Sequence, residues 1–321
     1  MIFIPHISYG QHKVVVTRLD TNPIIIPEML SGKDGENING PSLIKVPDFI
    51  SNPLGKYYLY FSHHIGKYIR LAYADNISGP WKVYAPGSMH MKDCDCTDVL
   101  DGPPNHVASP DVHIDYVNKQ IVMYFHCPVV LDEKEQKQFA QVQVTMRSTS
   151  QDGIRFTAEK EKLGDSYFRV FKWGNYYYGI ARLGAVYRSA DGVSNFEKGG
   201  NPFLKIQNPS MFRHSAVIRR DSILYVFYSR IGDMPERILL STINLIPDWN
   251  LWIPSEPVTL LEPAVDYEGV NLLLTKSANG TSKSPVRELR DPAIFEDNGK
   301  IYLLYSIAGE QGIAIAELRF D

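Results

Sequence analysis

Four short phrases place ionisable side chains just ahead of hydrophobic strands: Ser109-Pro110-Asp111, Asp165-Ser166-Tyr167, Arg213-His214-Ser215 and Arg290-Asp291-Pro292. Two carboxyl groups in one pocket, one protonated and one ionised, can share the proton transfers of a hydrolysis. An imidazole can assist them. A guanidinium beside Asp291 lowers that carboxyl's pKa, which suits a base. Asp111, Asp291, His214 and Asp165 are therefore the candidates for acid–base work. Arg169, Arg213 and Arg290 occupy related places, and a guanidinium's fork of donors suits a carboxylate or sulfate. Asn39, His106 and Glu288 join them as candidate substrate contacts. Turn preferences explain Pro, Gly, Asn and Ser at such places, but not Arg and His.

A repeat brings these scattered phrases together. Residues 41–64, 109–128, 167–183, 214–230 and 290–306 each read as an apolar strand, a turn and an aromatic-rich strand. Every turn carries Gly, Asn or Asp, as hairpins require. A third strand follows in most copies and ends in an Asp/Asn, Gly, aromatic phrase, as in YRSADGVSNF (187–196). These phrases are read as folding turns. Short outer segments close with Asn-Pro-Phe or Glu-Pro-Val, and only 132–141 has a mildly helical pattern. Five copies predict an all-β, five-bladed propeller of four-stranded antiparallel blades, one domain over 1–321. The last copy stops one strand short, and KVVVTRLDTNPIII (13–26) supplies the missing strand and closes the ring. The heads of the innermost strands then converge on one mouth of a central channel.

The rest of the sequence narrows the function class. A net charge of −3 gives no general affinity for nucleic acid or membrane surfaces. No stretch approaches the roughly 20 apolar residues of a membrane span. The opening MIFIPHISYGQHKVVV has neither a basic region nor a long apolar core, so a cytoplasmic protein is expected. Three cysteines, an odd count, argue against a disulfide framework. His90, Cys94 and Cys96 fall short of a structural zinc signature, so no metal is expected. Glu268, in a long insertion before the fifth copy, reads as solvent-exposed. No phosphate loop, nucleophile elbow or nucleotide fingerprint occurs, and no cofactor is expected.

The repeat and its motifs resemble the five-bladed propeller glycosidases around glycoside hydrolase family 43, a wider group that includes families 32, 68, 117 and 130. SPDVHID is similar to the second-blade Ala-Pro-Asp motif, whose Asp tunes the catalytic acid, and Asp111 is the matching position. RHSAVI resembles the fourth-blade His motif at His214, and RDPAIF the Asp-Pro phrase of blade entrances. Two positions depart from the family. Asn39 stands where a blade-one Asp base is usual, and Ser166, beside Asp165, where a blade-three Glu acid is usual. The resemblance implies hydrolysis of an oligosaccharide, and the three arginines point to an anionic sugar. The departures leave two alternatives, a non-catalytic carbohydrate-binding propeller and a glycoside phosphorylase.

Overall fold

The computed structural model describes residues 14–94, 96, 105–139, 142–205 and 212–320. Residues 1–13, on which the expectation about a leader rests, lie outside the described residues. Five antiparallel sheets follow one another along the chain. The first blade is Asn39–Lys45, Tyr57–Ser62, Arg70–Ala74 and Lys82–Tyr84. The innermost strands of the next four are Ala108–Asp115, Arg169–Trp173, Phe212–Arg220 and Arg290–Asp297. In the second blade the outer strand is split, because Thr157–Ala158 and Gly164–Asp165 both pair with Gln143–Ser150.

The aromatic-rich strands are the second strands of their blades, and their composition has a simple cause. Each is buried on both faces, so it reads as a continuous apolar run rather than an alternation. In the first blade, Tyr58 and Tyr60 pack into a core shared with the second blade. Tyr57, Leu59 and Phe61 pack into a core shared with the fifth. The other cores lie between blades four and five, three and four, and two and three. Hydrophobic burial thus sits at five interfaces between neighbours, and among the described residues no blade has a core of its own. The Asp-Gly turns add polar latches. The hydroxyl of Tyr60 donates to Gly153 O (2.7 Å) in the next blade, and that of Tyr124 to Gly192 O (2.6 Å) in the one after. Inside those turns Asp152 and Asp191 each accept two backbone N–H groups. These bonds draw the Asp191 carboxyl down to about 2, against the upward push of burial.

The ring closes as the repeat implied. Val14–Arg18 pairs antiparallel with Ala316–Phe320 at the outer edge of the fifth blade. Glu268 corrects the expectation of an exposed residue, since it is 0% exposed. Arg18 grips it with Nε (2.7 Å) and Nη2 (2.9 Å), and Tyr305 and the Ala264 N–H also donate to it. It clasps the ring seam. The cysteine expectation is also corrected, because Cys96 and Cys127 form a disulfide across 31 residues. An odd count leaves one cysteine over, but it does not forbid one bridge. The Asn-Pro-Phe phrase at 201–203 follows the outer strand Glu197–Lys198 and leads into a short 3-10 turn, Pro202–Lys205. The mild helical pattern materialises as Glu133–Gln138, opened by a capping box between Asp132 and Glu135.

Candidate active site at the blade-entrance mouth

Four of the five innermost strands are entered through the same irregularity. In blades one, two, four and five the register against the second strand slips, at Asn39/Ser42, Ala108/Asp111, Phe212/Ser215 and Arg290/Ala293. Such a bulge turns one side chain away from the ladder and re-aims it. The residue after the first paired position is Gly40, Ser109, Arg213 or Asp291, and Tyr167 takes that place in blade three. Four of these have positive φ: Gly40 +58°, Ser109 +52°, Tyr167 +68° and Asp291 +48°. Left-handed backbone is costly for a side chain with a Cβ and clusters at functional sites. Asp291 is thus the bulge residue of its blade, whereas Asp111 lies two positions further along its own strand. The two acid–proline phrases are not equivalent.

Asp291 is 1% exposed and accepts a hydrogen bond from Ser306 Oγ (3.1 Å). Its other oxygen contacts Nδ1 of His214. Burial, then the charges of Arg213, Arg169 and Arg182, push His214 well below the ordinary histidine range. A neutral imidazole facing an acceptor-only carboxylate carries its proton on Nδ1, which leaves Nε2 as an acceptor. Tyr167 is packed between His214 and His126, with ring centroids 4.2 Å from each. His126 is buried, and neither ring nitrogen has a hydrogen-bond partner among the described residues. His106 meets it edge-on at 5.5 Å. Arg182 and His64, both partly exposed, act electrostatically on His126 and His214. Arg182 also donates to Asn279 Oδ1 (2.9 Å), in the insertion between blades four and five.

Arg213 and Arg290 are committed to buried ion pairs. Arg213 pairs with Glu236 (2.9 Å), and Arg290 with Glu236 (3.0 Å), Glu310 (3.2 Å) and Glu288. Burial and the adjacent Glu236 raise Glu288, although Arg290 opposes them. Glu310 goes the other way, to about 2, as His64, Arg290 and Asn37 overcome the effect of burial. Asn39, in the family's blade-one base position, donates to Asn37 Oδ1 (2.9 Å), and Asn37 in turn donates to Glu310. Asp165 lies at the end of the split outer strand of blade two, where it pairs with Lys198 (2.7 Å) of blade three.

Arg169 crosses the channel. Its Nε donates to Ser215 O (2.9 Å) in blade four and its Nη1 to Pro110 O (3.2 Å) in blade two. Asp111 lies on a cavity of about 650 Å³ lined by the innermost strands through to their far ends. Asp291, His214 and Tyr167 do not line that cavity. Asp111 accepts from Val170 N–H (2.8 Å) and meets His113 Nε2 at 2.9 Å. Burial raises its carboxyl, but His113, Arg169 and Val170 outweigh burial and hold it below the usual range. Asp291, His214, Arg213 and Arg290 are therefore brought together with His106 near one mouth, while Asp111 and Asp165 are drawn into other contacts. The strand-head alignment did not reach Asn37, His64, His126, Arg182, Glu236 and Glu310. They come from second strands and from loops, and Tyr167 was aligned at a strand head but given no role.

No family model matches the chain. It is 37% identical to the uncharacterized protein R118 of Acanthamoeba polyphaga mimivirus over a 333-residue alignment, covering 95% of this chain and 91% of that protein. Among solved structures it is similar to CoXyl43, a GH43 β-xylosidase/α-arabinofuranosidase from a compost microbial metagenome, at 14% identity and a TM-score of 0.56, with 95% of each chain covered. It is also similar to a GH43_1 enzyme from Xanthomonas citri, at 12% identity and a TM-score of 0.56, covering 96% of this chain and 91% of that one. An endo-1,4-β-xylanase from Bacteroides thetaiotaomicron gives 11% identity and a TM-score of 0.57, with 88% and 90% covered. Likeness at these identities is a likeness of fold. The chain belongs to the family of the mimivirus R118 protein and is a five-bladed β-propeller resembling the family 43 glycosidases.

Proposed function

We propose that the chain is a glycosidase that takes an anionic oligosaccharide at the blade-entrance mouth and uses His214 as its general base. The observation that supports this most is the His214–Asp291 contact, formed by a bulge residue with left-handed backbone at the converging strand heads. Asp291 holds the imidazole by Nδ1, Nε2 takes a proton from the attacking water, and the departing sugar oxygen takes one from solvent. Arg182, on the rim, meets the anionic group, and Tyr167 offers its hydroxyl to the sugar.

One observation favours a second reading, a sugar-binding propeller without turnover. Glycosidases normally place two carboxyl groups about the scissile bond. Around this mouth, among the described residues, Asp291 faces His214, and Glu236, Glu288 and Glu310 sit in arginine pairs. Product analysis on neutral and acidic oligosaccharides, with and without phosphate, separates the readings. Hydrolysis without phosphate supports the glycosidase, and binding without products supports the second reading. A strict need for phosphate identifies a phosphorylase and contradicts both.

A further inference from the structure

The Cys94-Asp95-Cys96 motif plays no part in the proposed chemistry, yet the fold gathers it with the third cysteine. The sulfurs of Cys94, Cys96 and Cys127 all lie within 4.8 Å of one another. Cys96 and Cys127 are bridged, and Cys94 Sγ is 2.8 Å from Cys96 Sγ. Accessibility is graded across the three. Cys127 is 0% and Cys96 9% exposed, while Cys94 is partly exposed. The bridge is therefore shielded from solvent, and Cys94, whose thiol donates to Met91 O (3.1 Å), is the most exposed residue of the three. Cys127 belongs to the core shared by blades one and two.

We propose that Cys94, Cys96 and Cys127 form a thiol–disulfide relay, in which Cys94 is the port between external thiols and the buried bridge. In the internal step the Cys94 thiolate attacks Cys96 Sγ. A Cys94–Cys96 bond forms, the Cys96–Cys127 bond breaks, and Cys127 leaves with the electron pair. The proton lost by Cys94 ends on Cys127, and no net oxidation occurs. The freed thiol lies 3.8 Å from Met146 Sδ, in the core. In the external step a small dithiol attacks the sulfur of the partly exposed Cys94 and expels Cys96 as a thiolate. The reagent's second thiol then releases Cys94. Two electrons pass to the protein, which ends with three thiols, and the reagent ends as a cyclic disulfide. Exchange rates depend strongly on which sulfur can be reached.

The test follows reduction of the Cys96–Cys127 bridge by dithiothreitol in the full-length native protein, by alkylation and peptide mass spectrometry. Trypsin separates Cys127 from the other two by cutting after Lys119. Cys94→Ser is expected to slow reduction by roughly tenfold or more. Equal rates in variant and wild type would overturn the relay. Wild type alone gives a second test, should the variant not fold. Acid-quenched, alkylated protein is expected to carry label on Cys127 as well as Cys94, with a Cys94–Cys96 linked peptide. Label confined to Cys94 contradicts the internal step.

Discussion

His214 is neutral because burial and three guanidiniums disfavour a further positive charge, and it is oriented because Asp291 occupies its Nδ1 side. That combination predicts a specific pH profile. A base whose pKa lies well below 6.5 stays competent as pH falls through the ordinary histidine range. Turnover should therefore hold between pH 7 and 6 and be lost only as pH drops through the depressed value. His214→Ala is expected to lower kcat by about 10²–10⁴, with the fold intact by circular dichroism. Asp291→Asn should also lower kcat, because an amide no longer fixes the imidazole as a carboxylate does. The sequence made His214 and Asp291 legible because both sit at repeat heads, where architecture does not explain their type. It paired Asp111 with Asp291 as equivalents, since proline marks a strand entrance whether the acid precedes or follows it. Two positions along a strand separate those cases, and only backbone register reveals which side of Arg169 the carboxylate meets.

The inner-strand bulge recurs at the scale of the element, and the element sets the cost of altering it. Gly40 holds the left-handed place in blade one, with Ser109 Cα 3.4 Å from where a Cβ would sit. Gly40→Val is expected to destabilise the fold by about 1–3 kcal/mol, read as a lower urea midpoint at unchanged slope. Beneath the mouth, the depressed Glu310 carboxyl links stability to acid. Its folded value is about 2, against 4.5 for the free group. The stabilisation is thus fully present above pH 4.5 and is lost as pH falls towards 2. Melting temperature should drop over that interval in wild type and respond less in Glu310→Gln. Glu310 was hidden from a sequence search because it lies in the loop after a second strand, outside the aligned heads. The same search recovered the hairpins because burial on both faces leaves an unmistakable run such as YYLYFS.

The whole molecule is a ring with five interfaces and one seam. Its closure was legible because a missing outer strand at one end matched a spare strand at the other. The clasp was not, because nothing in a surface-like Asp-Tyr-Glu segment shows that Arg18 will fold against Glu268. Removing the guanidinium leaves a fully buried carboxylate without its cation. Arg18→Ala should therefore cost about 3–5 kcal/mol in denaturant unfolding, although the site lies elsewhere. A glycosidase of this fold ultimately stands on chemistry at the mouth. The most direct measurement is product formation from acidic oligosaccharides, without phosphate, by wild type, His214→Ala and Asp111→Asn. Turnover by wild type and by Asp111→Asn, with loss in His214→Ala, is the predicted result. Equal turnover in wild type and His214→Ala would contradict the assignment of His214 as the base.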